Sequence, residues 1–217
     1  MPQKYKKPPE IIIDLRSKFT SVRDQGERPL CLAFAMSDLN AFIHQLSDAL
    51  SVEYLAYHAY ELSGFNDYSE GLTCEAVFKA LSVAGQPYED VHPYSPQSTR
   101  PIEFSGDCVD VFKATGFQRS AVAADIKEFI DNDVAVAIGV SLTKDFFSPV
   151  PPYIFDDQYE SVGMHAMVVV GYGEMGNGES VFLLRNSWGN EWANRGYAWV
   201  TSSFCSNRVK ILIGLEA

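Results

Sequence analysis

Cys31 stands where a polar loop, Arg23-Asp24-Gln25-Gly26-Glu27-Arg28-Pro29-Leu30, gives way to a stretch with helical spacing of apolar residues. A thiol at a helix N-terminus feels the positive end of the helix dipole, and a neighbouring imidazolium adds to that field. Together they move a cysteine from about 8.5 towards the ~3.5–7.5 range of reactive thiolates. His165 precedes an apolar run, Met167 to Val170, that leads into Gly171-Tyr172-Gly173, so its imidazole is set to project from the edge of a strand. Twenty-one residues on (186 − 165), Asn186 follows another apolar run, Val181 to Leu184, and Arg185. An asparagine carbonyl accepts the proton of one imidazole nitrogen, fixes the tautomer, adds no charge and leaves the other nitrogen to face a thiol. Taken singly these are a small core cysteine, a structural histidine and a turn asparagine; taken together they point to nucleophilic catalysis by sulfur.

The elements that must position them read as follows. From Cys31 to Leu46 the apolar residues Ala35, Leu39, Phe42, Ile43 and Leu46 fall on one helical face. Further helices are expected over Val52–Leu62 and Thr73–Ala84, the latter with Thr73 as N-cap, Glu75 in its first turn and Gly85 as its stop. After a Pro- and Ser-rich stretch, His92 to Pro101, the pattern turns to strands at Val109–Phe117, Val134–Leu142, Ala166–Tyr172, Val181–Arg185 and Tyr197–Thr201, with one helix near Ala123–Asn132. The fold class is therefore α+β: a helical half to about residue 105, a mostly antiparallel β half after it, and a cleft between them.

Composition narrows the function classes. The chain has 217 residues, 47% hydrophobic and 21% charged, enough for a substantial core. A net charge of -11 excludes nucleic acid as the expected partner, because phosphate binding needs clustered Lys and Arg. No apolar run approaches the roughly 18 residues that span a bilayer, and the first ten residues carry no apolar signal core, so no membrane association and a cytoplasmic location are expected. Four cysteines, at 31, 74, 108 and 205, form neither a CxxC pair nor a disulfide scaffold and fit a reducing compartment. His44, His58 and His92 lack the mutual spacing of metal ligands, and neither metal nor cofactor is expected. Asp14 and Arg16 read as a surface pair, Asp156, Asp157 and Glu160 as a solvated acidic loop, and Gly171-Tyr172-Gly173 with Gly176 and Gly178 as a hairpin turn.

Several segments resemble the papain family of cysteine peptidases: Asp14-Leu15-Arg16 near the start, Asp24-Gln25-Gly26 with Gln25 six residues before Cys31, the strand from His165-Ala166 to Gly171-Tyr172-Gly173, and Asn186-Ser187-Trp188-Gly189 followed by Gly196-Tyr197. The stretch Leu50 to Glu61 resembles the family's second helix, and Gly71 to Pro96 the following helix and its Tyr-Pro-bearing loop. The likeness runs from about Ile11 to Thr201 and is strongest to a bacterial, disulfide-poor branch. It implies a single peptidase domain over residues 1–217, a helical lobe at about 11–105 and a β-barrel-like lobe at about 106–217. By position it implies Cys31 as nucleophile, His165 as acid and base, Asn186 as the residue orienting the imidazole, Gln25 as the oxyanion-hole side chain and Trp188 as a shield over the His–Asn hydrogen bond. An amide N–H of Gln25 and the backbone N–H of Cys31 suit that task. Gln25 has a plainer reading too, as the brace of its own loop.

The likeness is incomplete around the nucleophile. Arg28 stands where the best-known members carry a disulfide cysteine, leaving that cysteine's usual partner, placed at Cys74, with nothing to pair with. Pro29 replaces a glycine and Leu32 a tryptophan. The resemblance places an apolar substrate pocket between Gly71 and Leu72 on one side and Met164, Ala166 and, less surely, Ile138 on the other, which implies bulky hydrophobic residues over Arg. The implied activity is endopeptidase hydrolysis of a peptide or protein substrate. The same residues would also serve a transacylase or peptide ligase, and a catalytically silent peptide-binding relative is the remaining alternative. With barely ten residues before the matched region, restraint by a neighbouring domain or partner, in place of an inhibitory pro-segment, is also expected.

Overall fold

The computed structural model describes residue 5 and residues 7–64, 67–106, 110–120, 122–157 and 160–217. Cys108 and Val109, named above, lie outside the described residues. The first half carries three helices, α1 (Cys31–Ile43), α2 (Val52–Ser63) and α3 (Cys74–Val83). Thr73 caps α3 as expected, accepting from Ala76 N at 3.3 Å, and Ser51 does the same for α2, accepting from Tyr54 N at 3.0 Å. At their ends Gly64 and Gly85 take the left-handed conformation, with φ of 69° and 73°.

Helix α1 differs from its expected form in two ways. It stops three residues short of Leu46, because Gln45 turns left-handed (φ 55°) and Leu46 N donates back to Ala41 O at 3.0 Å, a Schellman-type closure. It is also buried on every side, from Leu32 to Ala41, where one apolar face was expected. A helix packed against others on one side and a sheet on the other has no solvent face. Its polar side chains bond internally instead: Ser37 donates to Leu50 O at 3.0 Å, and Asn40 Nδ2 to Gln86 Oε1 at 3.0 Å.

The second half is built on β2 (Thr115–Arg119), β3 (Val136–Thr143), β4 (Ile154–Phe155), β5 (Ser161–Glu174), β6 (Ser180–Arg185), β7 (Tyr197–Thr201) and β8 (Val209–Glu216), with α4 (Ala123–Asp131) and α5 (Ser202–Arg208) beside them. Together with β1 (Glu10–Asp14) these form, among the described residues, one eight-stranded sheet in the order β2-β8-β3-β5-β6-β7-β4, β1 adding to β5. Every pairing except the short β4–β7 contact is antiparallel. Strand β3 is buried along its whole length, and Ile138 within it is fully buried between Met167 and Leu212, so it belongs to the core and not to a substrate pocket.

Two further expectations change. Gly171-Tyr172-Gly173 is no hairpin turn but the end of the long strand β5; the turn lies beyond it, where Gly178 N donates to Met175 O at 2.8 Å. A Cβ at Gly171 or Gly173 would run into the carbonyl of Ile13 or Glu10, so these glycines let β1 lie against β5. Asp156 and Asp157 are also not part of a free loop, whereas Glu160 is exposed as expected. Asp157 is held by Arg208 and by Asn207 Nδ2 at 2.7 Å, and Asp156 Oδ1 accepts from Thr201 Oγ1 at 3.0 Å. The Asp14–Arg16 pair forms as expected, Nη2 to Oδ2 at 2.6 Å.

The helices and the sheet are joined by an ion cluster as well as by apolar packing. Arg185 on β6, whose side chain is wholly buried, donates Nε to Asp38 Oδ2 at 2.6 Å, and Arg23 Nη2 reaches Asp38 Oδ1 at 2.9 Å. The remaining guanidinium donors of Arg185 go to Thr20 O, Ser21 O and the Tyr197 hydroxyl. Burial acts to raise the Asp38 carboxyl, but the two guanidinium groups outweigh it and hold it below its ordinary value. Because that folded-state value is depressed, its stabilisation is present above about pH 4 and is lost as pH falls through it. Replacing Asp38→Asn leaves Arg185 charged, buried and half-paired. The expected cost is about 3–5 kcal/mol in unfolding free energy by urea titration; a loss under ~1 kcal/mol would show that the cluster carries little.

Candidate active site

Cys31 is the first residue of α1. The preceding Leu30 supplies no side-chain cap and no acid occupies the first turn, so the helix's leading amides remain available to an anion at this end. Cys31 is half-buried, and burial pushes its thiol above its ordinary value; the backbone N–H groups of Ala166, Leu32 and Cys31 itself act the other way. Ala166 is the residue after His165 on β5, so its N–H brings the histidine strand next to Cys31.

His165 lies within β5, opposite Val140, and is 6% exposed. Its Nε2 is 2.7 Å from Asn186 Oδ1. That Asn186 atom also accepts the backbone N–H of Ser187 at 2.8 Å, so it is the carbonyl oxygen, and a carbonyl can only accept. Nε2 therefore carries the proton, and Nδ1 is left as the base of the ring. Burial lowers the imidazole to about 4, against a smaller opposing effect of the Asn186 bond. Trp188 lies over this pair with its ring 4.7 Å from the imidazole; Phe147 stacks on it at 5.3 Å and Trp192 meets it edge-on. The indole excludes water from the His165–Asn186 bond, which strengthens it.

Gln25 is buried beside these residues. Its backbone N–H donates to Ser187 O at 2.8 Å, its Oε1 accepts the Ser187 hydroxyl at 2.6 Å, and its Nε2 donates to Arg28 O at 2.8 Å. The side chain does brace its own loop, yet an amide nitrogen has two hydrogens; one is committed to Arg28 and the other remains for a ligand. Cys31, His165, Asn186, Gln25 and Trp188 thus form one cluster. Ser187, which orients Gln25, and the Ala166 amide were not foreseen. The hydroxyl stood next to Asn186 in the sequence, whereas nothing in the sequence marks a backbone N–H.

The expected pocket residues are placed less closely. Gly71 approaches the Pro29 carbonyl, Leu72 is half-buried beside it, Ala166 is buried and Met164 is 61% exposed next to His165. A cavity of about 510 Å³ borders the loop from Gly26 to Leu30 and is walled by Tyr60, Tyr68, Pro96 and Arg100; none of those four was anticipated. Among the described residues no group of three or more His, Cys, Asp or Glu is placed to hold a metal ion, and no helix is long and apolar enough to cross a membrane.

Thiol and imidazole are each disfavoured as ions by burial, whereas a thiolate–imidazolium pair would share one proton and offset both penalties. In Cys31→Ala the partner is gone, so His165 should titrate near 4, read from its ring protons by NMR, and higher in the wild type. Below the ordinary value of 6.5 the unfolded Cys31→Ala chain binds a proton that the folded one refuses. That variant should lose up to roughly 3 kcal/mol of stability as pH falls from 6.5 through 4. Equal His165 titration in both proteins would rule out the pairing.

A profile described as papain family cysteine protease matches residues 10–211. Among curated proteins, the chain is 25% identical to "Thiol protease SEN102" of Hemerocallis sp. over 96% of its length and 59% of the relative's. It is 29% identical to "Cathepsin K" of Gallus gallus over 85% of its length and 57% of the relative's. The chain thus spans a little over half the length of these relatives. Among solved structures, xylellain, a cysteine protease from Xylella fastidiosa, superposes with a TM-score of 0.78 at 21% identity, covering 98% of this chain and 91% of that one. Digestive procathepsin L 3 of Tenebrio molitor larval midgut gives 0.75 at 23%, covering 100% and 73%. Both likenesses speak to the fold, which is the α+β arrangement described above. With a profile matching residues 10–211 and these elements in place, the chain belongs to the papain family of cysteine proteases.

Proposed function

We propose that this chain is a single peptidase domain that hydrolyses peptide bonds through a thioester on Cys31. The observation that carries the reading is the hydrogen bond from His165 Nε2 to Asn186, which leaves Nδ1 as base, on the strand whose Ala166 N–H acts to lower the Cys31 thiol. In the reaction the Cys31 thiolate attacks the scissile carbonyl carbon, and the oxygen becomes an oxyanion held by the second Nε2 hydrogen of Gln25 and the Cys31 backbone N–H. Nδ1 of His165 gives its proton to the leaving amine. It then takes one from water, which attacks the thioester, releases the acid and restores the thiol. Asn186 holds the imidazole in orientation throughout.

The substrate is a peptide or protein segment. An apolar side chain beside Met164, Ala166 and Leu72 is favoured two residues before the scissile bond, since none of the three offers a charge. The cysteines at 31, 74 and 205 are all free, and Arg28 replaces the family's disulfide cysteine; both support a disulfide-poor form of the family, akin to bacterial members, working in a reducing, cytoplasmic setting.

Iodoacetamide should label Cys31 stoichiometrically well below pH 8, Cys31→Ala should not be labelled, and His165→Ala should be labelled only as fast as an ordinary thiol. Labelling of Cys74 or Cys108 in place of Cys31 would sink the assignment. Peptide amides with Leu or Phe at the second position before the cut should be cleaved at least about tenfold faster than those with Arg, a difference near 1.4 kcal/mol in transition-state binding. Equal rates would remove the apolar pocket.

A further inference from the structure

We infer that the buried Arg28–Glu53 ion pair is a positioning device for the oxyanion-binding amide of Gln25. This rests on the role proposed for Gln25, and it concerns what aims that amide.

The Gln25 side chain has two anchors. Ser187 holds its carbonyl end, and the backbone carbonyl of Arg28 holds Nε2 at 2.8 Å. Where the free Nε2 hydrogen points is therefore set by the position of Arg28 O, which lies in the loop between Gly26, at φ 59°, and Cys31. Nothing periodic stabilises that loop. Leu30 N–H donates back to Arg28 O at 2.8 Å, and the Arg28 side chain, turned inward and 7% exposed, ties the loop to the helices. Its guanidinium makes a two-pronged contact with Glu53 on α2, Nη1 to Oε2 at 2.6 Å and Nη2 to Oε1 at 2.9 Å, and Nη1 also donates to Ser95 O at 2.9 Å. A fork of parallel bonds fixes orientation as well as distance.

The pin is part of a closed circuit. Glu53, fully buried, also accepts the backbone N–H of Ser95 at 3.2 Å and of Ile102 at 2.9 Å. Tyr94, whose ring lies 4.8 Å from the Arg28 guanidinium carbon, donates its hydroxyl to Gln25 O at 2.8 Å. Starting at Gln25, the path runs through Arg28 O, the Arg28 side chain, Glu53, Ser95 and Tyr94 and returns to Gln25. Both oxygens of Glu53 are occupied by these donors, which suits the pair to geometry and not to proton transfer. A Gln25 amide displaced by about an ångström no longer meets the oxyanion, and losing one such donor costs on the order of 100-fold in rate.

Two reactions at Cys31 separate positioning from general integrity. Amide hydrolysis passes through an oxyanion; alkylation by iodoacetamide displaces iodide at a carbon and forms none. The test compares wild type with Arg28→Lys, which keeps charge but loses the fork, and with the double variant Arg28→Met, Glu53→Met, which leaves no buried charge unpaired. Each is assayed with a fluorogenic peptide amide carrying Leu at the second position, with iodoacetamide, and by thermal melting, with Gln25→Ala alongside. Expected is a fall of roughly tenfold or more in kcat with KM near wild type, and alkylation within about twofold of wild type. Wild-type kcat in the double variant overturns the inference, and so does alkylation that falls in parallel with kcat. Should the double variant not fold, Arg28→Lys decides by the same two rates. A slow Gln25→Ala with fast Arg28 variants defeats the pin alone; a Gln25→Ala as fast as wild type defeats the oxyanion role beneath it.

Discussion

Everything the site does depends on one helix and one strand keeping their relative position, and the Asp38–Arg185 pair ties them. Asp38 lies seven residues after Cys31 (38 − 31), about two turns down α1. Arg185 is the last residue of β6 and directly precedes Asn186. A bond of 2.6 Å between them fixes the helix that begins at Cys31 to the strand that leads into Asn186, the partner of His165. The other donors of Arg185 gather Thr20 and Ser21, and Arg23 approaches Asp38 from the same segment, so the chain leading to Gln25 is held by the same charges. A buried ion cluster of this kind contributes little net stability over an apolar one of similar shape; its value here lies in direction, because charge-assisted bonds tolerate small errors poorly.

The electrostatics of the site follow from burial more than from any single charge. Enclosure raises the Cys31 thiol and lowers His165, so each alone resists ionising. Transferring one proton between them makes two opposite charges where each stabilises the other, and the uncapped α1 amides and the Ala166 N–H favour the sulfur end. Trp188 keeps that exchange dry, and the Asn186 carbonyl holds the tautomer without adding a third charge.

Much of this was legible in the residue order, for local reasons. Helix α3 is marked in the residue order by Thr73 at its start and Gly85 at its end, because capping is a bond between neighbours. Strands β3, β6 and β7 followed from short apolar runs. Strand β8, helix α5 and the N-terminal strand β1 were not foreseen, and Gly171 and Gly173 were read as a turn. Their meaning comes from β1 lying against β5, a contact between segments about 160 residues apart (171 − 13 for the first), which leaves no periodic trace. For the same reason the spacing in α1 predicts one apolar face, whereas Asp38 and Asn40 are buried on distant partners.

The sequence by itself determined the reacting types and their neighbourhoods: a cysteine at a helix start, a histidine on an apolar strand, an asparagine ending another, and the family segments around them. Those are statements about residues a few places apart, where backbone geometry and periodicity operate. Tertiary structure alone decided that Ser187 orients Gln25 across 162 residues, that Arg185 meets Asp38 across 147, and that Arg28 turns inward to Glu53. Hydrogen bonds and ion pairs act over about 3 Å of space whatever the separation along the chain, so only the folded arrangement specifies which of the many possible polar pairs form.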